Sequence, residues 1–130
     1  MREIKFRGKG KDNIGEIEIG DWLYGGIVFD NDRYWIDIPY YGNIIVDNNT
    51  IGQYTGLKDK NGVEIYEGDI IKAVFADEEE PEMKGVVTYV GAGACYMVIA
   101  NNGDEWDLGY LDDIEVIGNI YDNPELLENT

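Results

Sequence analysis

Twenty-seven Asp and Glu side chains, one cysteine and no histidine bound the chemistry open to this 130-residue chain. Without histidine, imidazole acid–base catalysis, a Ser-His-Asp triad and His-ligated zinc all fall away. The lone Cys95 offers neither an internal disulfide nor a cysteine-based zinc site. Its setting, GAGACYMVIA, predicts a buried thiol in a strand. Carboxylates remain, and a pair of them can hydrolyse a glycoside or hold Mg²⁺. With so many acids some pair is always close, so proximity selects none. Asp104-Glu105-Trp106-Asp107 is the most suggestive group, because a Trp beside acids suits a sugar site. Its simpler reading is a turn at Asn102-Gly103 followed by a strand that sends Trp106 and Leu108 toward a core. Asp112-Asp113 reads as the start of a single turn.

Two loops invite a ligand and then decline it. Counting from Asp59 as position 1 of a Ca²⁺ loop, Asn61 falls at position 3, but Val63 and Glu64 occupy positions 5 and 6. Gly62 arrives early and Ile70 stands where the bidentate Glu should be. Asp59-Lys60-Asn61-Gly62 is instead turn chemistry: Asp for the first position, Asn third, and Gly for the positive φ that follows. It predicts a hairpin between Leu57 and Val63–Ile65, with a bulge at Gly62. Glu67-Gly68-Asp69 makes a second turn. Gly91-Ala92-Gly93-Ala94 lacks the Lys-Ser/Thr of a phosphate-cradling loop and reads as a hairpin connection. No cofactor or metal is expected.

The elements that would carry these loops are short β-type segments bounded by Gly, Asn and Asp. Strands are expected over 3–7, 22–29, 34–38, 44–46, 50–55, 69–76, 85–90, 96–100, 105–108 and 114–121. Pro39 ends one of them. Asn123-Pro124-Glu125 predicts a short terminal helical turn capped by Asn123. The fold class is mainly β, a β-rich α+β chain. An irregular N-terminal β-subdomain runs over 1–68 and an SH3-like small barrel over 69–130, as two parts or one compact unit. The acidic loop 77–82 joins two barrel strands.

Net charge is −17 and uneven. Residues 1–75 hold nine basic and thirteen acidic groups, a balance of −4; residues 76–130 hold one and fourteen, a balance of −13. Such a second half repels phosphate, which argues against direct nucleic-acid or anionic-membrane binding. Neither a signal peptide nor an apolar run of membrane-spanning length is present, so a cytoplasmic location is expected. The basic N-terminal stretch with Arg2, Lys5, Arg7, Lys9 and Lys11 reads as an arm able to meet an acidic barrel in a second copy, a route to a homo-oligomer.

The stretch IGQYTGLKDKNGVEIYEGDII (51–71), the opening MREIKFRGK and the closing IEVIGNIYDNPELL together resemble the YopX family of phage and prophage proteins. The resemblance implies a β-rich protein of a bacterial host's cytoplasm, with no catalytic residue to carry over and with a viral or host protein as partner.

Those expectations favour a non-enzymatic accessory protein acting through protein contacts. Tyr40 and Tyr41, after Pro39 and before Gly-Asn, form one half of a candidate partner surface, since Tyr offers contact area with a polar tip. Asp77, Glu78, Glu79, Glu80 and Glu82 form the other. The alternatives are an acidic DNA-mimic decoy for a nucleic-acid-binding protein and a carboxylate-dependent hydrolase.

Overall fold

The computed structural model describes residues 3–75, 82–100 and 103–127. It is mostly antiparallel β-structure, as the recurring short apolar segments require. The chain divides into two compact units, Met1–Gly56 and Leu57–Thr130. The boundary expected after Gly68 instead falls after Gly56. Ile65 explains the difference: it is fully buried among Ile71, Ala73, Met83, Val87, Val98, Leu108 and Leu111, so the central motif packs with the second unit.

In the first unit, β1 (Phe6–Lys9), β2 (Trp22–Asp30), β3 (Arg33–Ile38), β4 (Gly42–Val46) and the start of β5 (Gly52–Lys58) form a sheet in the order β4-β3-β2-β1-β5. The strand expected at 3–7 therefore begins later. Its basic residues do not form an arm, because β1 lies between β2 and β5. The Arg7 guanidinium sits 4.7 Å and the Lys9 ammonium 5.4 Å from the Trp22 ring centre, and Lys5 stands 5.6 Å from that of Tyr54. Aromatic faces thus receive charges that the sequence left looking unattached. Alternation places Leu23, Ile36, Ile44 and Val46 in one cluster, with Ile14, Ile17, Tyr34, Ile38 and Ile51 packed on it. Each such burial stabilises the fold by about 1.5–3 kcal/mol before entropy is charged against it.

The second unit holds β6 (Glu64–Tyr66), β7 (Asp69–Phe75), β8 (Met83–Val90), β9 (Cys95–Ala100), β10 (Glu105–Asp107) and β11 (Leu111–Asn119). Strands β7 to β10 form a meander. A 3₁₀ turn, Leu108–Tyr110, follows, and β11 returns to pair with β7, giving the order β10-β9-β8-β7-β11. That is the connectivity of an SH3-like small barrel. The inward residues Met83, Gly85 and Val87 alternate along β8, the period-2 pattern of a sheet with one buried face. Asp112-Asp113 does not start a turn. It lies within β11, where Asp113 takes φ 50° and the register with β7 shifts between Asp112 and Glu115. Such a bulge bends a strand, as the corner of a small barrel demands. The terminal 3₁₀ turn, Pro124–Leu127, forms where Pro124 predicts it, but the Asn123 side chain turns back and accepts from the Asn119 N–H at 3.2 Å.

Candidate functional site

Asp59 and Asp69 are the two buried acids among the described residues of the second unit, and both serve the backbone. One Asp59 oxygen accepts from the N–H groups of Asn61 (2.8 Å) and Val63 (2.9 Å); the other accepts from Val116 N–H at 2.9 Å, 57 positions along the chain. Lys60 N–H donates to the Ile114 carbonyl at 2.9 Å, so the turn and β11 are joined at two adjacent points. Burial pushes the Asp59 carboxyl up. The N–H groups of Val116, Val63 and Asn61 and the Lys60 charge pull it further down, and it ends below its ordinary value of 3.8. Asp69, 2 % exposed, accepts from Tyr66 N–H at 2.8 Å and holds the turn that launches β7. The expected hairpin is present, with Asp59 N–H on the Val63 carbonyl and Gly62 at φ 83°. The Asx turn was legible in Asp-Lys-Asn-Gly. The bond to Val116 was not, because no local pattern announces a partner in another strand.

Glu115 lies 3.6 Å from both Lys60 and Lys72. These half-exposed pairs are weak: Glu115→Gln is expected to change stability by about 0.5 kcal/mol or less in a denaturation titration.

Glu105, Asp107, Asp112 and Asp113 are exposed, while Trp106 packs against the core and Leu108 is buried in it. The group at 104–107 is thus a strand ending in a cap, where Asp107 accepts from Gly109 N–H at 2.9 Å. Among the described residues no three acids gather as a metal site. The Asp59 carboxyl, held below its ordinary value, runs opposite to what a general acid needs. Cys95 is half-buried rather than buried, its sulfur 3.6 Å from that of Met97. It sits at the start of β9, directly after the Gly91–Ala94 turn. No helix among the described residues is long and apolar enough to cross a membrane.

Tyr40 and Tyr41 part company. Tyr41 N–H donates to the Ile38 carbonyl at 3.1 Å, closing a turn over Ile38–Tyr41 with Pro39 second and Tyr40 third at φ 72°. Tyr41 leans on Gly15, where a methyl group would lie only 2.7 Å from its ring. The Tyr40 side chain touches little: its exposure is 105 % of the reference value. Glu82 is exposed, whereas Asp77, Glu78, Glu79 and Glu80 lie outside the described residues.

The family model described as YopX protein matches residues 8–128. The chain is a member of the YopX family. The crystal structure of the yopX protein from Bacillus subtilis is similar over 100 % of this chain and 99 % of its own, at 21 % identity and a TM-score of 0.61. That of a protein from Enterococcus faecalis matches 98 % of this chain and 100 % of its own, at 26 % identity and a TM-score of 0.53. No curated protein matches the chain. Membership covers both units of this YopX-family protein, and Asp59, Gly62, Gly68 and Asp69 all fall inside the matched span.

Proposed function

We propose that this YopX-family chain is a phage or prophage accessory protein of the bacterial cytoplasm, without catalysis of its own, that acts by contacting a partner protein through the Pro39–Tyr41 turn. One observation carries the reading. A wholly exposed aromatic side chain occupies a left-handed backbone position, where glycine is the residue a turn of this kind favours. A non-glycine residue there costs about 1 kcal/mol, and Tyr40 recovers nothing by packing. Strain of this kind at an exposed side chain is a pointer to use rather than to folding. Tyr41, seated on Gly15, fixes the turn from which Tyr40 projects.

Tyr40→Gly separates the two roles. It is expected to raise stability by about 0.5–1 kcal/mol in chemical denaturation while releasing the partner. A tagged chain in lysate of an infected or lysogenic host, eluted by a salt gradient with and without competing DNA, reads the second effect. Wild type should hold its partner into high salt and Tyr40→Gly should lose it; equal capture by both would sink the proposal.

A second reading rests on charge. Residues 57–130 contain four basic and eighteen acidic groups, 4 − 18 = −14, and Glu82, Glu105, Asp107, Asp112 and Asp113 are exposed. An acidic decoy would occupy the nucleic-acid surface of its target, the acids at 77–80 adding to that charge. Its partner would leave at low salt, be displaced by DNA and ignore Tyr40→Gly.

A further inference from the structure

In the first unit a cleft of about 310 Å³ is lined by Lys11, Asp32, Arg33, Asp47, Asn48 and Asn49 over a floor of Ile45 and Val46. Its walls are fixed by backbone bonds. Lys11 N–H donates to the Ile45 carbonyl and Asp47 N–H to the Lys9 carbonyl, at 2.9 and 2.8 Å. Thr50 Oγ1 accepts from Lys9 N–H and donates to the Asp47 carbonyl, at 2.9 and 2.7 Å. The opposite wall is the two-residue turn between β2 and β3, in which Asn31 and Asp32 take φ 52° and 62°. That is the turn for which Asn-Gly is the favoured pair. Asp32 stands in the glycine's place and is one of the residues lining the cleft.

Lys11 and Arg33 form no side-chain ion pair among the described residues. The Asp47 carboxylate is engaged by Asn49 N–H at 3.0 Å. Lys11 and Arg33 offer a phosphate group two cations, with Arg33 able to grip two of its oxygens at once, while Asp32 and Asp47 bring the lining to a net charge of zero. Asp32 and the amides of Asn48 and Asn49 suit hydroxyl groups, and Ile45 with Val46 suits the C–H face of a ring. The volume sits at the lower end of small-molecule pockets. We propose that this cleft binds a phosphorylated monosaccharide, phosphate on Lys11 and Arg33 and sugar hydroxyls on Asp32 and the two Asn side chains. The first unit carries six basic and nine acidic groups, so the general repulsion of anions is mild there and is screened beyond about 8 Å at physiological salt. Affinity is set by a few contacts and falls in the millimolar range.

The test is a titration of the ¹⁵N-labelled chain with ribose 5-phosphate, inorganic phosphate and ribose, followed by amide shifts. Ribose 5-phosphate should give saturable shifts at Lys11, Arg33, Asn48 and Asn49, phosphate a weaker response at Lys11 and Arg33, and ribose none. Lys11→Ala and Arg33→Ala should each weaken binding about tenfold, the worth of one charge-assisted contact. Asp32→Gly, which suits the turn and leaves the hairpin folded, should weaken ribose 5-phosphate but not phosphate. Failure to saturate at millimolar ligand would overturn the proposal, as would equal shifts at Lys58, Lys60 and Lys72 or wild-type binding by Arg33→Ala.

Discussion

Asp59→Asn is expected to destabilise the folded chain by about 2 kcal/mol at neutral pH, the scale of a charge-assisted hydrogen bond lost inside a protein. The Asn oxygen can still accept from the Asn61 and Val63 N–H groups. Its NH₂ then faces Val116 N–H, two donors without an acceptor, at the point where the turn is joined to β11. Asp59→Ala leaves all three donors without the carboxylate and should cost more, about 3 kcal/mol. The effect has a pH signature. The folded carboxyl titrates below its ordinary value, so its stabilisation is complete above the unfolded value of about 4 and is lost as pH falls through the folded one. The stability difference between wild type and Asp59→Asn should therefore be constant from neutral pH to about pH 5 and shrink in more acid solution. Urea titrations of both proteins across that range measure it. A difference that stays flat into strong acid would mean that Asp59 holds its bonds without needing its charge.

Gly85→Ala should cost about 2–3 kcal/mol, for the opposite reason: too many atoms rather than too few bonds. On β8, Gly85 faces Ala100 across the ladder to β9. A methyl group there would lie 2.6 Å from the Ile99 carbonyl oxygen and 2.8 Å from Val98 Cγ1. A backbone carbonyl cannot swing aside like the end of a side chain, so β9 must shift and disturb Val98 in the core. Restricting the unfolded chain returns only about 0.4–1 kcal/mol, too little to change the sign. Gly91→Ala is the matched control, because a methyl at Gly91 meets nothing within 4 Å. It should move the thermal midpoint little, while Gly85→Ala lowers it by several degrees. Equal midpoints would refute the close-approach account.

The elements and their residues differ in how much of this was readable in advance. The turn at Asp59–Gly62, the hairpin connection at Gly91–Ala94 and the strand ends at Pro39 and Asn123-Pro124 are local events. Proline, glycine and Asx chemistry acts over a few residues, so the sequence determines them alone. The β-rich class, the SH3-like connectivity and the family follow from the same short-range grammar repeated along the chain. What only tertiary structure decided is the destination of each polar group. Asp59 reads as a turn residue, yet its second oxygen is spent on Val116. Arg7 and Lys9 read as a basic arm, yet packing turns them onto Trp22 in the middle of a sheet. Asp112-Asp113 reads as a turn, yet the curvature of a small barrel draws the pair into β11 as a bulge. Gly85 reads as one glycine among seventeen, until the strand beside it leaves no room for a methyl group. Tyr40 and Tyr41 are alike on paper; the path of the chain past Gly15 seats one and leaves the other in solvent. Local sequence sets where the chain turns. Which strands then meet depends on the register of residues far apart, and that register gives Asp59 its bond to Val116.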